Sequence, residues 1–185
     1  MEHKIIAIGD SLTFGFPFRQ ERSWVGILRN EYGINIVNKG INGDYTSGML
    51  YRFEDDVVKE QPSHVIITGG ANDAFGFVPY GDMIYNYREM IDIAVSNNII
   101  PIVGITPPVD DEFAEKKLLK FRFSIKEYCF SKNLAIIDFY SKMVDPKKGL
   151  MKDIYDFDGA HPSPEGHKAM AEEALKVLEN SINKG

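Results

Sequence analysis

One cysteine in 185 residues cannot close a disulfide within the chain. Cysteine usage therefore gives no sign of a secreted, cross-linked scaffold. Long apolar runs are also missing. The longest, around Ile99 to Ile105, is interrupted by Pro101 and Gly104 and falls far short of the roughly 20 residues a membrane helix needs. The apolar stretch Ile5 to Ile8, behind Met1-Glu2-His3-Lys4, is too short for the core of a signal peptide. A cytoplasmic protein without stable membrane insertion is the expectation. Positive charge is in deficit, with Lys+Arg 21 against Asp+Glu 27 and a net charge of −6 at pH 7. That balance argues against general affinity for nucleic acid or for an anionic membrane surface. There is no internal repeat, low-complexity tract or linker-like shift in composition, so residues 1–185 read as one domain.

What is present is an ordinary globular mix, 44% apolar and 26% charged. A chain of this length buries about 70% of its unfolded surface, so its core needs no metal or disulfide. Five short β-rich runs stand out: Lys4–Ile8, Ile34–Asn38, His64–Thr68, Ile99–Ile105 and Ala135–Asp138. Most are built from Ile, Val and Ala without clean alternation, as in strands buried on both faces. Between them run segments of helical period at Trp24–Tyr32, Tyr80–Val95 and Glu112–Lys132. A last helix opens at Ser163-Pro164-Glu165 and carries Met170, Ala174, Leu175, Leu178 and Ile182. Ser163 suits its N-cap and Pro164 its first turn. Alternating strands and helices predict a parallel sheet covered on both faces. In such sheets ligands sit at the carboxyl ends of the strands, near a topological switch point.

The loops at those ends carry the residues of interest. The first run passes into Gly9-Asp10-Ser11-Leu12-Thr13. Ser11 is a nucleophile if a base reaches it, or else a helix-capping serine. Thr13 stands where the elbow motif G-x-S-x-G would place glycine. After the second run comes Asn38-Lys39-Gly40-Ile41-Asn42-Gly43-Asp44. Gly43 there either serves a turn or lets a backbone N–H approach a ligand. The third run ends in Gly69-Gly70-Ala71-Asn72-Asp73. Asn72 can donate to an oxyanion or make an Asx turn. Near the end is Asp158-Gly159-Ala160-His161-Pro162. An Asp three residues before a His can hold its tautomer and stabilise its cation; the plain alternative is a loop histidine without a role. Asp158, His161 and His167 are of metal-ligating types, but they lack a zinc-binding spacing such as H-E-x-x-H.

Together these blocks resemble the GDSL family of esterases and lipases, the SGNH hydrolases. Gly9-Asp10-Ser11-Leu12-Thr13-Phe14-Gly15 is similar to the family's first block, and Gly43 within Asn42-Gly43-Asp44 to its second. Gly70-Ala71-Asn72-Asp73 is similar to the third, and Asp158-Gly159-Ala160-His161 to the last. They occur in order and span nearly the whole chain. The resemblance implies a three-layer α/β/α, flavodoxin-like fold with a central five-stranded parallel sheet. It implies Ser11 as nucleophile, His161 as general base and then acid, and Asp158 as the residue that orients His161. It implies an oxyanion hole from the backbone N–H groups of Ser11 and Gly43 and the side chain of Asn72. No cofactor and no metal is implied. Asp10 and Asp73 are expected to be structural, and His3, His64 and His167 bystanders.

The expected function is a serine esterase or acylhydrolase that cleaves carboxylic esters, or thioesters, through an acyl-enzyme. The absence of room for a lid domain favours small or single-chain acyl groups. A carbohydrate O-acetylesterase and a lysophospholipase are alternatives within the family. Outside it stand a non-catalytic ligand-binding module on a flavodoxin-like scaffold and a phospho-acceptor receiver domain. The first lacks a P-loop or G-x-G-x-x-G; the second lacks an acceptor aspartate at Thr68-Gly69-Gly70. Aromatic residues crowd the motif loops, with Phe14, Phe16 and Phe18 after Ser11 and Phe75, Phe77 and Tyr80 after Asn72. Phe14, Phe75 and Pro107, the last in the stiff loop after the fourth run, are the expected substrate-binding residues. The expected partner is a small-molecule ester; the sequence is silent on oligomeric state.

Overall fold

The computed structural model describes residues 3–182. Five strands, β1 (Ile5–Gly9), β2 (Ile36–Gly40), β3 (His64–Thr68), β4 (Ile100–Gly104) and β5 (Ala135–Ile137), form one sheet in the order β2-β1-β3-β4-β5. Every neighbouring pair is parallel. The helices in chain order are α1 (Ser11–Phe14), α2 (Trp24–Tyr32), α3 (Thr46–Tyr51), α4 (Phe53–Asp56), α5 (Ala71–Phe75), α6 (Tyr80–Ser96), α7 (Glu112–Ser131), α8 (Phe139–Met143) and α9 (Pro164–Ile182). This is the expected flavodoxin-like α/β/α sandwich.

The two-residue repeat of a strand divides the core between two layers. Ile6 and Ile8 of β1 join Val65, Ile67 and Val103 under α3, α4, α6 and α7. Ile5 and Ala7 join Ile66, Ile102 and Ile137 under α2, α8 and α9. Both faces are dry, which is why these strands read as apolar runs without alternation. Trp24 and Phe139 anchor the second layer, with ring centroids 5.3 Å apart. Cys129 is buried in the first.

Strand edges moved where a helix cap claimed residues. Gly33 ends α2 in the left-handed region at φ +68°, and both its N–H and that of Ile34 return to the Leu28 carbonyl. Ile34 therefore belongs to the helix end, and β2 starts at Ile36. Asp138, expected in the fifth strand, instead caps α8 by accepting the Ser141 N–H at 3.0 Å. Ser163 caps α9, its Oγ accepting from Gly166 N–H at 3.1 Å.

The order β2-β1-β3 makes β1 the switch strand, flanked by the next two strands in sequence. Gly9 at its end lies in register with Gly40 and Thr68. The loops that follow β1, β2 and β3 must therefore converge over one spot.

Candidate active site

The chain leaves β1 directly into the short helix α1. Asp10 caps it, its Oδ1 accepting the Leu12 N–H at 2.9 Å. Close approach makes this turn possible: a Cβ on Gly9 would lie 2.2 Å from Thr13 Oγ1, and one on Gly40 would lie 2.2 Å from Phe14 N. Asn38 pins the helix from below, its Nδ2 donating to the Thr13 carbonyl at 2.7 Å. Ser11, at the start of α1, is thereby presented above the sheet, 8% exposed.

The loop before α9 delivers the other two side chains. Ser11 Oγ and His161 Nε2 are 3.1 Å apart. On the far side of the ring, Nδ1 is 3.0 Å from Asp158 Oδ2 and 3.1 Å from Oδ1. Asp158 Oδ1 also accepts the backbone N–H groups of His161 at 2.9 Å and Ala160 at 3.2 Å. Burial raises the Asp158 carboxyl, but these hydrogen bonds outweigh it and hold it below its ordinary value. A carboxylate in that state only accepts, so Nδ1 carries the hydrogen. Nε2 is left with a lone pair facing Ser11 Oγ–H.

The loops after β2 and β3 close the other side. Gly43 has φ +76°, in the region that favours glycine. Asn72 Nδ2 donates one hydrogen to the Asp44 carbonyl at 2.9 Å, and an amide carries two. Its second N–H, like the backbone N–H of Ser11 and of Gly43, meets no acceptor among the described residues. Asp73 is turned away: its two oxygens accept Thr46 N–H at 3.0 Å and Thr46 Oγ–H at 2.6 Å.

Ser11, Phe16, Asn42, Gly43, Asn72 and His161 line a hollow of about 240 Å³. Larger hollows, two of about 450 Å³, lie elsewhere, but neither sets a serine or cysteine beside a histidine. The structure thus brings Ser11, Gly43, Asn72 and His161 to one cavity, with Asp158 behind the ring. It does not bring Phe14, Phe75 or Pro107 to that cavity's walls. Gly15, at φ +103°, reverses the chain after α1, so Phe16 is the aromatic that packs on His161, with ring centroids 4.7 Å apart. Phe75 lies on α5 outside the hollow, 40% exposed. Pro107 is buried, because Arg122 Nη2 draws its carbonyl inward at 2.6 Å. Phe16 is among the aromatics that crowd the motif loops but not among the three expected substrate-binding residues, and Asn42 is marked in sequence only as part of its block. The one available signal for Phe16 was its position just past a glycine turn following Ser11.

Two ionisable groups are buried close by. Asp10 is fully buried, and its Oδ2 has no partner among the described residues. Burial pushes its carboxyl up to about 7, the Leu12 N–H opposing and Asp73 and Asp44 adding. His167 is buried with both ring nitrogens unpaired among the described residues. Burial pushes its imidazole down to about 4. Among the described residues no cluster of three or more His, Cys, Asp or Glu is placed to hold a metal ion. No helix there is long and apolar enough to cross a membrane.

A flavodoxin-like sheet whose switch point carries a serine, a histidine and an asparagine defines a class: the SGNH hydrolases. Residues 7–169 match the model of the GDSL-like lipase/acylhydrolase family, and the chain belongs to that family. It is accordingly a hydrolase of ester bonds. An arylesterase from Vibrio mimicus is 27% identical over 182 residues, covering 95% of this chain and 88% of the relative. An acetylxylan esterase from Geobacillus stearothermophilus is 24% identical over 204 residues, covering 95% of this chain and 93% of that protein. Among solved structures, a G-D-S-L family protein from Desulfitobacterium hafniense DCB-2 superposes with a TM-score of 0.89 at 34% identity, over 95% of this chain and 99% of the other.

Proposed function

We propose that the protein hydrolyses carboxylic esters of small acyl groups through a Ser11–His161–Asp158 triad. The observation that carries this reading is the continuous contact from Ser11 Oγ through the His161 ring to Asp158. As Ser11 Oγ attacks the carbonyl carbon, His161 Nε2 takes its proton. The carbonyl π pair moves onto oxygen, and the imidazolium is stabilised by Asp158. The oxyanion is received by the backbone N–H groups of Ser11 and Gly43 and the free N–H of Asn72. Such donors act most strongly where they are fixed before charge develops. His161 then gives its proton to the departing alkoxide, which leaves an acyl group on Ser11. A water attacks this ester with His161 again as base, and collapse releases the acid and restores Ser11. Every proton is accounted for by His161, so the cycle asks for no cofactor.

Acyl size is read from the cavity. Its volume of about 240 Å³ lies below the roughly 300–1,000 Å³ of pockets that enclose drug-sized ligands. Short acyl groups such as acetyl fit beside Phe16, while the leaving group extends into solvent. The acetylxylan esterase relative supports a short acyl chain, and the arylesterase relative an aryl ester. A cytoplasmic setting is part of this reading.

The test is covalent. A fluorophosphonate should label the protein once, on the peptide containing Ser11, and p-nitrophenyl acetate should compete. Ser11→Ala should abolish labelling and His161→Ala should slow it severely. Labelling on another residue would overturn the assignment of Ser11, and no labelling of the wild type would favour a non-catalytic binding role.

A further inference from the structure

Arg52 joins α3 to α4 and is largely withdrawn from solvent, with its side chain 13% exposed. Its guanidinium donates to four acceptors. Nε reaches Asp44 Oδ2 at 2.9 Å, Nη1 reaches the Lys39 carbonyl at 2.8 Å and Asp56 Oδ2 at 2.6 Å, and Nη2 reaches the Gly9 carbonyl at 3.0 Å. Three of these acceptors, two carbonyls and one carboxylate, belong to the segments that lead to the proposed oxyanion donors. Gly9 ends β1 two residues before Ser11. Lys39 lies in β2 at the start of the loop that carries Gly43. Asp44 follows Gly43, and its own carbonyl accepts the Asn72 side chain.

The Gly43 turn is closed by two main-chain hydrogen bonds, Ile41 N–H to the Gly9 carbonyl at 3.0 Å and Asp44 N–H to the Ile41 carbonyl at 3.2 Å, and the first shares its acceptor with Arg52. Ile41, Asn42 and Gly43 are exposed, and no atom lies within 4 Å of where a Cβ on Gly43 would be. Packing therefore cannot fix its N–H. The Asp44 carboxylate is instead seated over α3, where a Cβ on Gly48 would come 2.0 Å from Asp44 Oδ1. A planar guanidinium with directed donors can tie two carbonyls and a carboxylate in fixed relation, which an ammonium cannot.

We infer that Arg52 is a positioning residue for the reaction: it sets the spacing of the three oxyanion donors and so acts on the transition state without touching substrate. This inference rests on the proposed triad and oxyanion hole. Misplacing donors costs less than deleting one, and deletion costs about 10²–10³ in kcat. Loss of Arg52 geometry should therefore cost roughly 10- to 100-fold.

The experiment compares wild type, Arg52→Lys, Asp44→Asn, Asp56→Asn, Asn72→Ala and the Arg52→Lys/Asn72→Ala double variant on p-nitrophenyl acetate. Active sites are titrated with a fluorophosphonate, so that kcat is counted per competent site and misfolded protein drops out. Phenylboronic acid serves as a tetrahedral mimic. Arg52→Lys should lose 10- to 100-fold in kcat per titrated site with KM nearly unchanged, and boronate binding should weaken by the same factor. Asp44→Asn should move in the same direction by less. Asp56→Asn, which discharges the pairs to Arg52 and Lys39 but keeps an oxygen for Arg52 Nη1, should lose less than Arg52→Lys. The double variant should lose less than the product of the two single losses, because Asn72 is one of the three donors that Arg52 spaces. A wild-type kcat per titrated site in both Arg52→Lys and Asp44→Asn would overturn the inference. So would an Arg52→Lys loss that adds in full to that of Asn72→Ala. A wild type that neither titrates nor binds boronate would overturn the triad itself, which is a different signature.

Discussion

Asp158 grips His161 at two points, the ring Nδ1 at 3.0 Å and the backbone N–H at 2.9 Å. One carboxylate thus sets both the tautomer of the ring and the path of the chain that carries it. Replacing it by an amide should keep the loop and lose the tautomer, because Asn can donate to Nδ1 and so shift the hydrogen to Nε2. Nε2 could then no longer accept from Ser11. Asp158→Asn should lower kcat by about 10⁴ while KM changes little. Steady-state kinetics on a p-nitrophenyl ester measure this, and a loss below tenfold would contradict it.

Asn72 is held by the Asp44 carbonyl through one amide hydrogen, and the proposed chemistry assigns the other to the oxyanion. Asn72→Ala should reduce kcat by about 10²–10³ and leave KM almost unchanged. The split between kcat and KM distinguishes a transition-state contact from a substrate-binding one.

His167 and Asp10 should pull stability in opposite directions with pH. With its imidazole pushed down to about 4, His167 refuses a proton that the unfolded chain binds below about 6.5. Its contribution is present above that value and lost as pH falls toward 4. With its carboxyl pushed up to about 7, Asp10 keeps a proton that the unfolded chain releases near 4. Its contribution is present at acid pH and lost as pH rises through 7. The shifts correspond to about 3 kcal/mol for His167 and about 4 kcal/mol for Asp10. Urea unfolding between pH 4 and 7.5 should show Asp10→Asn gaining stability with pH more steeply than wild type. His167→Leu should lose stability relative to wild type over the same rise. Parallel profiles would contradict both assignments.

A buried ion pair braces the loop that follows β4. Arg122 donates to Glu115 at 2.6 Å and to the carbonyls of Thr106 and Pro107 at 2.7 and 2.6 Å. Glu115 also accepts the Val109 N–H at 3.0 Å, and the next residue, Asp110, donates to the Gly159 carbonyl at 2.7 Å in the Asp158–His161 loop. Arg122→Met strands the Glu115 charge, and breaking a buried pair in this way costs about 3–5 kcal/mol. The melting temperature should fall by roughly 6–20 °C. A shift of a degree or two would show that the pair is dispensable.

The strands and the four long helices were legible in the sequence because each had a physical signature. β1 and β3 are unbroken buried aliphatic runs, and α6 and α9 repeat their apolar residues at helical spacing. The short helices α1, α3, α4, α5 and α8 left no such trace, since four to six residues are too few for a period to show. Ser11, Gly43, Asn72, Asp158 and His161 could be named from motif blocks, because chemistry restricts residue types there. The cavity wall could not. Whether Phe14 or Phe16 faces His161 depends on a left-handed glycine at position 15. Arg52 reads as one more charge on a solvated face, next to Glu54, Asp55 and Asp56. Its role comes from the loops that the sheet order gathers around it.

The central claim is that Ser11 forms an acyl-enzyme, and pre-steady-state hydrolysis of p-nitrophenyl acetate tests it most directly. The wild type should release p-nitrophenol with turnover that falls by on the order of 10⁶ in Ser11→Ala. Acid quench during turnover should trap an acetyl group on the Ser11 peptide. Turnover that survives in Ser11→Ala, or an acetyl group trapped on another residue, would contradict the account.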